Sequence, residues 1–250
     1  MLKVQNLSIG YQQLLIKNLD FDLQQANLVA IIGRNGTGKT TLLKTLIGFQ
    51  KAINGAIFIE SQPMTGYSSQ QLAKKISIVN TERIRLNYFS VSDFVALGRF
   101  PYTNFIGQLS DTDKSLIHQT IQSLAIQHLI HKDLTELSDG ELQKVLIARA
   151  LVQNTPIILL DEPTTHLDLV NRFHIFQLLK KLATQKLILL STHEIELALD
   201  LADQIILIGD HQQVKIGTPK HMIEKGWIAA TFQQKGVTFD PTIRRFKYED

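Results

Sequence analysis

Short runs rich in Ile, Leu and Val alternate with amphipathic segments along most of this chain. Eight runs are bounded by Gly, Asn, Asp or Pro, which is typical of β-strands. They are LKVQNL, LLIKNLDFDL, NLVAIIG, AIFIE, ISIVN, PIILLD, KLILLS and QIILI. From residue 39 onward, helical segments lie between the strands. The alternation predicts an α/β fold with a mainly parallel, buried sheet, preceded by an antiparallel N-terminal portion.

The strand pattern stops between about residues 90 and 153. Three helical patterns follow one another there: VSDFVALGR, DTDKSLIHQTIQSLAI and the segment after LSDGE. We expect an inserted helical subdomain within a single domain that spans residues 1–250. No internal repeat is visible, so the chain holds one copy of this unit. The segment 226–250, with its basic residues Arg244, Arg245 and Lys247, either covers the core or contacts a partner at the membrane.

Composition excludes several classes of function. The 250 residues contain no Cys, which rules out disulfides, thiolate metal sites and Cys nucleophiles and fits a cytosolic protein. The formal net charge is only +3, so nucleic acid is not an expected partner. The N-terminus lacks a signal-peptide pattern, and the apolar runs are far shorter than the roughly 18 residues of a membrane span. Whatever this protein does at a membrane, we therefore expect it to do from outside the bilayer.

The stretch GRNGTGKT at residues 33–40 matches the phosphate-loop pattern GxxxxGK[ST] between a predicted strand and a predicted helix. Glycines allow backbone N–H groups to converge on phosphate oxygens at a helix N-terminus. Lys39 is expected to reach the β and γ phosphates, and Thr40 to bind Mg²⁺. The simpler alternative is a tight glycine turn. The predicted ATP-binding residues are Gly33, Arg34, Asn35, Gly36, Thr37, Gly38, Lys39, Thr40 and Thr41.

Two further strand ends carry candidate catalytic groups. Asp161 and Glu162 follow the run PIILL, and His193 follows KLILLST. Ligands of parallel α/β sheets bind at the carboxyl ends of the strands. Asp161 is the candidate Mg²⁺ partner, and Glu162 is the candidate general base for an attacking water. Standing alone, the two acids would be read as solvated carboxylates at a strand end, and the His as a structural residue. The phosphate loop upstream favours the catalytic interpretation, with His193 near the γ-phosphate.

The polar stretch LSDGE at residues 137–141 directly precedes a strongly helical run. Ser138 can cap that helix, and Glu141, three residues later, can complete a capping box.

Taken together, GRNGTGKT, LSDGE, ILLDEP, THLD at 165–168 and STHE at 191–194 resemble the motifs of ABC transporter ATP-binding subunits. The resemblance implies a RecA-like P-loop NTPase core with an antiparallel β subdomain and an inserted helical subdomain. It also implies that Tyr11 stacks on adenine and that two copies form a head-to-tail homodimer. Ser138 and Gly140 of one copy then face the nucleotide held by Lys39 of the other, and Asp168 lies along the seam between them.

Two positions depart from the family pattern. LSDGE replaces the usual LSGGQ and adds the charges of Asp139 and Glu141 near the expected triphosphate, which is unfavourable unless other groups offset them. In SIVNTER, the Gln that usually links Mg²⁺ to the transport partner corresponds to Thr81, followed by Glu82. Thr81 is thus a third expected oxygen near the metal, with a shorter reach.

The segment 91–107 contains Phe100, Tyr102 and Phe105, which either form a docking surface or pack the helices onto the core. It is similar to the VALGRxPY stretch of importer ATPases for iron-siderophore, haem and cobalamin-type chelates. That resemblance implies a peripheral protein on the cytoplasmic side of the membrane, with two membrane-spanning permease subunits and, indirectly, an extracytoplasmic binding protein as partners. The alternative is a soluble ABC ATPase that assists iron–sulfur cluster assembly.

Overall fold

The regular elements extend from residue 2 to residue 248. The computed structural model describes residues 1–11, 13–24, 26–80, 88–165, 167–210 and 212–248. The strands are β1 (Leu2–Gly10), β2 (Leu14–Leu23), β3 (Asn27–Gly33), β4 (Asn54–Ile59), β5 (Gln62–Pro63), β6 (Ile76–Val79), β7 (Ile157–Asp161), β8 (Leu187–Ser191), β9 (Gln204–Ile208), β10 (Val214–Gly217), β11 (Val237–Asp240) and β12 (Arg245–Tyr248). The α-helices are α1 (Lys39–Leu46), α2 (Ser69–Ala73), α3 (Val91–Ala96), α4 (Asp111–Ser123), α5 (Asp139–Val152), α6 (Leu169–Leu182), α7 (Ile195–Leu201), α8 (Pro219–Glu224) and α9 (Trp227–Phe232). Short 3₁₀ helices lie at Met64–Gly66, Leu97–Tyr102, Gln127–Leu129 and Leu134–Glu136.

The central sheet has six strands in the order β10-β9-β3-β8-β7-β6. All neighbouring pairs are parallel except β10 with β9. Ser191 is paired with Ile31 of β3 on one side and with Asp161 of β7 on the other. Because the strands run in the same direction, Gly33, Asp161 and Ser191 end at one edge of the sheet. The prediction of a mainly parallel buried sheet is confirmed, and this edge carries the candidate site.

A second sheet, with the order β2-β1-β4-β5, is antiparallel. It contains the predicted N-terminal antiparallel strands, joined by β4 from beyond α1. β2 also brings Leu15 against the phosphate loop, since a Cβ built on Gly38 would lie 3.2 Å from Leu15 Cβ. The antiparallel sheet therefore abuts the start of α1.

The core lies on both faces of the central sheet because successive side chains of a strand point to opposite faces. Ile157 and Leu159 pack with α1 and the antiparallel sheet. Ile158 and Leu160 pack with α3, α5 and α6. All four side chains are fully buried, and each stabilises the fold by about 1.5–3 kcal/mol relative to an exposed side chain. This burial on both faces fixes the strand ends that carry the site.

In the described part of the chain, the regular elements between β6 and β7 are all helical, as the sequence predicted. A buried ion pair fastens them together. Arg99 Nε donates to Asp113 Oδ1 at 2.6 Å, and an Arg99 Nη1–H donates to the Val152 carbonyl at 3.0 Å. Hydrogen bonds from Ser110, with further support from Arg99, lower the pKa of Asp113. The segment after α3 and the ends of α4 and α5 are thus joined through one guanidinium.

The C-terminal segment folds onto the core. Met222, Ile228 and Phe239 are buried and share a cluster with Ala198 and Leu199 of α7. The sequence left open whether this segment covers the core or contacts a partner; the structure places it over the core. The short strands β5, β10, β11 and β12 were not predicted. None of the helices within the described ranges is long and apolar enough to cross a membrane.

Candidate functional site

The loop between β3 and α1 has the backbone geometry that a phosphate cradle needs. Gly36 and Gly38 have φ values of 78° and 104°, which side chains with a β-carbon rarely adopt. A Cβ on Gly33 would lie 2.5 Å from the Ile208 carbonyl oxygen, so only Gly fits against β9. The N–H groups at the start of α1 are therefore presented at the edge of the sheet, where a helix N-terminus favours an anion.

Lys39 lies inside this loop with only 6% of its surface exposed. Its Nζ donates to the carbonyl oxygens of Gly33 at 3.0 Å and Arg34 at 3.1 Å. Burial lowers the pKa of Lys39, while the carboxylates of Glu162 and Asp161 oppose that shift. The amine is thus held at the mouth of the anion-binding loop by bonds that a phosphate oxygen can replace.

The other residues predicted in this loop lie around the same turn. Thr37 Oγ1 donates to the Arg34 carbonyl at 2.9 Å and closes the loop. Arg34 and Asn35 are exposed at its tip, and Arg34 Nη1 lies 3.7 Å from Asp210 Oδ2. Thr41 is buried in α1, where its carbonyl accepts the Thr45 hydroxyl at 2.7 Å. Thr41 therefore offers no exposed side chain at the loop.

Asp161 and Thr40 bring two oxygens together. Thr40 Oγ1 donates to Asp161 Oδ1 at 3.1 Å, and Ser191 Oγ donates to the same oxygen at 2.6 Å. Asp161 is only 3% exposed. A hydroxyl and a carboxylate are the hard oxygen ligands that Mg²⁺ takes beside phosphate and water. No cluster of three or more His, Cys, Asp or Glu suited to a metal occurs in the described portions of the chain.

Glu162 lies next to this pair in a constrained conformation. Its φ of 45° is in the left-handed region, and its N–H donates to the Ser191 carbonyl and hydroxyl oxygens at 3.1 and 2.9 Å. Glu162 Oε1 lies 2.7 Å from Nε2 of His193, as the strand order predicts. Its side chain is one quarter exposed, so water reaches it. A carboxylate held in this way can accept a proton from a water molecule.

Sequence reasoning missed Ser191, which bonds both acidic residues. Its only signal is its place at a strand end two residues before His193. It also missed Arg172, whose Nη1–H donates to Glu194 Oε1 at 2.6 Å and whose Nε–H donates to the Leu167 carbonyl at 2.7 Å. Arg172 thus ties the start of α6 to the residue after His193, and nothing in the local sequence indicates this pairing.

LSDGE forms the N-terminus of α5, and the predicted capping box is present. Glu141 N–H donates to Ser138 Oγ at 3.3 Å, and Glu141 Oε2 accepts from the Ser138 N–H and hydroxyl at 2.8 Å each. These bonds, with smaller contributions from Lys132 and His128, lower the pKa of Glu141. The Glu141 carboxylate is therefore turned back onto its own helix. The hydrogen bonds that it accepts there partly offset the negative charge that LSDGE adds near the expected triphosphate.

Ser138 and Gly140 line an open cavity of about 500 Å³ together with Asp168, Asn171 and Lys144. Asp168 caps α6, with Oδ1 accepting from Asn171 N–H at 2.7 Å. Asp168 and LSDGE are thus neighbours within one chain. No phosphate-loop residue lines this cavity in the part of the chain that is described. The two motifs therefore line one space that the described residues of their own chain leave open.

Tyr11 and Thr81 are the remaining predicted site residues. Tyr11 lies in the connection between β1 and β2 with 61% of its surface exposed, close in sequence to Leu15, the neighbour of Gly38. An exposed ring there is available for stacking. Thr81 and Glu82 lie outside the described residues, so the expected role of Thr81 near the metal stays a prediction.

Comparisons with known proteins agree with this geometry. A family model described as ABC transporter matches residues 16–165. An uncharacterized ABC transporter ATP-binding protein of Methanocaldococcus jannaschii is 34% identical, covering 100% of this chain and 87% of the relative. The petrobactin import ATP-binding protein YclP of Bacillus subtilis is 34% identical, covering 90% and 89%. The achromobactin transport ATP-binding protein CbrD of Dickeya dadantii is 31% identical, covering 90% and 85%.

Solved structures give the same result. An inward-facing metal-chelate type ABC transporter superposes with a TM-score of 0.80 at 29% identity, covering 98% of this chain and 94% of the other. The dimeric ATP-binding cassette MJ0796 bound to ADP and Pi has a TM-score of 0.78 at 26% identity, covering 88% and 99%. The second match is a dimer that holds the products of ATP hydrolysis.

Proposed function

This chain belongs to the ABC transporter family of ATP-hydrolysing subunits, and from that premise we propose that it drives the import of an iron-siderophore or a related metal chelate of the haem or cobalamin type. One observation carries the ATP-hydrolysing part of the proposal: the phosphate loop, Asp161, Glu162 and His193 meet at one edge of a single sheet, with Glu162 and His193 2.7 Å apart. Relatives named for petrobactin import and achromobactin transport support the chelate class.

Within the site, we propose that residues 33–41 bind the phosphates of ATP and that Tyr11 stacks on the adenine. Lys39 exchanges its carbonyl partners for phosphate oxygens. Thr40 and Asp161 are the protein ligands that fit Mg²⁺, because their oxygens are already 3.1 Å apart. The metal, when bound, neutralises charge on the β and γ phosphates. Ser191 keeps the Asp161 carboxylate oriented.

Glu162 is proposed as the general base that accepts a proton from the attacking water. His193 fixes the orientation of its carboxylate through Oε1 and lies beside the position expected for the γ-phosphate. The second oxygen, Oε2, lies 3.4 Å from the Thr165 hydroxyl and is the less constrained of the two. Proton acceptance therefore falls to Oε2, with the backbone held by Ser191.

The catalytic pocket is proposed to be completed by a second copy of the chain. Ser138 and Gly140, at the N-terminus of α5, line an open cavity. Backbone N–H groups at a helix N-terminus bind anions. In a head-to-tail homodimer, this terminus would meet the γ-phosphate held by the partner copy, with Asp168 at the seam.

The face around α3 is the proposed docking site for a permease segment. Phe100, Phe105 and Ile106 are strongly exposed, whereas Tyr102 packs beneath Arg99, with the guanidinium carbon 3.9 Å from the ring centroid. A cavity of about 420 Å³ lies beside them, lined by Phe49, Leu97 and other apolar residues. Of the two interpretations left open by the sequence, docking suits Phe100 and Phe105, and packing suits Tyr102.

Residues 1–250 are proposed to act as one ATPase domain, peripheral to the cytoplasmic side of the membrane. Two permease subunits bind the homodimer, and a binding protein outside the cell delivers the chelate. The alternative, a soluble ATPase for iron–sulfur cluster assembly, is less favoured because the named relatives are transport proteins.

The test is co-purification. The tagged chain is isolated from detergent-solubilised membranes and from the soluble fraction of the same cells. If the protein drives import, it should be recovered together with a multi-span permease. ATP hydrolysis by the reconstituted complex should also rise when binding protein loaded with a ferric chelate is added. A Phe100→Asp, Phe105→Asp double variant should lose the permease and keep its fold. Recovery only from the soluble fraction, with cluster-assembly scaffold proteins, would refute import.

A further inference from the structure

The C-terminal hairpin is fastened to α7, the helix that directly follows His193. Arg245 donates from Nη2 to Asp200 Oδ2 at 2.9 Å, and its Nε lies 3.4 Å from Glu196 Oε2. The backbone N–H of Phe246 donates to Glu196 Oε1 at 3.0 Å. Glu196 and Asp200 are four residues apart and therefore lie on the same face of α7. One strand of the hairpin thus contacts both ends of this face.

The hairpin is itself firmly anchored, so it can hold what it contacts. Phe246 packs against Phe239, with ring centroids 5.0 Å apart, and against Phe232 at 6.3 Å with the rings edge to face. Phe239 is buried in the cluster that covers the central sheet. Lys247 and Asp240 form a further ion pair within the hairpin. Arg245 is therefore a fixed point attached to the core.

α7 is held by the buried packing of Ala198 and Leu199 and by attachments of this kind. It has seven residues, which is too short for a stable isolated helix. Within the described residues, Glu194 at its N-cap makes no side-chain capping bond to the helix. Instead, Arg172 of α6 binds the Glu194 carboxylate, and Arg245 binds the acids further along. The N–H of Ile195 donates to the His193 carbonyl at 3.0 Å, so the start of α7 carries His193 with it.

We propose that Arg245 is a positioning residue for ATP hydrolysis: by binding Glu196 and Asp200, it fixes α7 and thereby keeps His193 within hydrogen-bond distance of Glu162. The inference rests on the proposed roles of Glu162 and His193. It assigns a function in the reaction to a segment that lies beyond residues 16–165, the range matched by the family model. Displacements of about 1 Å at a reacting group are enough to reduce turnover strongly.

The test compares two alanine variants of the same hairpin. Arg245→Ala removes the contact to α7, and we expect kcat for ATP hydrolysis to fall about tenfold, with KM for ATP changed by less than about twofold. Lys247→Ala removes an ion pair that lies within the hairpin and does not touch α7, and its kcat should stay within about twofold of the parent. Arg245→Lys should recover part of the rate, because an ammonium can still bind Asp200.

A second readout separates positioning from general stabilisation. The His193 imidazole resonance, assigned by its loss in His193→Ala, should shift in Arg245→Ala and not in Lys247→Ala. Adding Arg245→Ala to His193→Ala should cause no further loss in the residual rate. If Arg245→Ala folds poorly, Asp200→Asn, which keeps the side-chain shape, takes its place in both measurements.

A parental kcat together with an unmoved His193 resonance in Arg245→Ala would overturn the inference. A lowered melting temperature with unchanged kcat would also overturn it. Failure of the proposed function looks different: Glu162→Gln would then turn over ATP at the parental rate, whatever the hairpin variants do.

Discussion

The phosphate-loop edge and the LSDGE end of α5 are both helix N-termini that present N–H groups, yet they differ in how far one chain completes them. Lys39 is buried and bonded to two carbonyls, and Thr40 already contacts Asp161. LSDGE, by contrast, lines an open cavity of about 500 Å³, and Ser138 and Glu141 bond to each other to cap α5. The phosphate loop is organised before any ligand binds. The LSDGE terminus is capped by local hydrogen bonds, and the cavity in front of it is open.

The difference indicates a division of labour between nucleotide binding and nucleotide enclosure. A preorganised loop binds phosphate with little rearrangement, which favours affinity. The open N-terminus of α5 can bind a nucleotide only when a second surface that holds the nucleotide docks against it. Docking of the two surfaces can therefore depend on whether ATP is bound. Variants in the two regions should therefore affect different steps, and the following predictions test that separation.

The largest effect is expected at Glu162. Glu162→Gln keeps the side-chain shape and removes the base, so kcat should fall by about 10²–10⁴. ATP binding should persist, because the phosphate loop is untouched, and dimers should accumulate with ATP. Radiometric phosphate release and sizing with light scattering measure the two outcomes. Glu224→Gln, an exposed substitution on α8, is the control. Parental turnover in Glu162→Gln would remove this residue from the mechanism.

At Lys39, the loss should extend to binding. Lys39→Ala removes the cation at the mouth of the loop, and hydrolysis should fall by about 10²–10³ because a charge-stabilising donor is lost. Titration with a fluorescent ATP analogue should show weakened affinity as well, unlike Glu162→Gln. The exposed substitution Lys51→Ala serves as the matched lysine control. Unaltered affinity would mean that the carbonyl bonds of Lys39 are purely structural.

Mixing a phosphate-loop variant with an LSDGE variant tests whether the two regions come from different chains of one pocket. Lys39→Ala and Ser138→Glu chains should each be inactive as homodimers. Their heterodimer should contain one intact pocket, so an equal mixture should recover about a quarter of the parental rate if the pockets act independently. Steady-state ATPase assays of the mixture measure this.

The control for this mixture combines Lys39→Ala with Glu162→Gln, two changes on the same side of the pocket, and should recover nothing. Recovery in neither mixture would indicate that LSDGE does not serve a partner's nucleotide.

The smallest effect is expected at Glu141. Glu141→Gln can keep the capping box but loses the charge, and we expect a loss of about 1 kcal/mol at pH 7. Hydrogen bonds from Ser138 lower the folded-state pKa of Glu141 below its ordinary 4.5. The added stability is therefore present above pH 4.5 and is lost as the pH falls through the folded-state pKa.

Urea denaturation across this pH range should show the parent and Glu141→Gln converging under acid. Glu224→Gln should run parallel to the parent. A constant gap between Glu141→Gln and the parent would contradict the assignment of this charge to the cap.

Much of the fold and site followed from the sequence because local signals and tertiary structure agree. Apolar runs such as IILL, bounded by Pro and Asp, favour strands buried on both faces, and IILL is fully buried in β7. Gly36 and Gly38 of the phosphate loop have the positive φ values that the motif's turn requires. Glu162 and His193 met as expected, since neighbouring parallel strands end at the same edge.

The remainder depended on partners distant in the chain. β10 has four partly exposed residues and is a strand because it pairs with β9. β11 and β12 are strands because they pair with each other. Ser191 bonds Asp161 across thirty residues, and Arg245 reaches Asp200 across forty-five. No window of local sequence contains such information, since a hydroxyl or guanidinium acquires its partner only from the packed fold.

The left-handed backbone at Glu162 has a consequence for mutational scanning. Residues branched at Cβ rarely adopt positive φ, so Val, Ile or Thr at position 162 would add backbone strain to the missing carboxylate. A deep scan would therefore rank these substitutions below Gln or Asn for reasons unrelated to proton transfer. Measuring protein abundance in parallel with ATP turnover separates backbone strain from loss of the carboxylate. Glu162→Gly removes the carboxylate without adding backbone strain and is the reference for the loss of proton transfer.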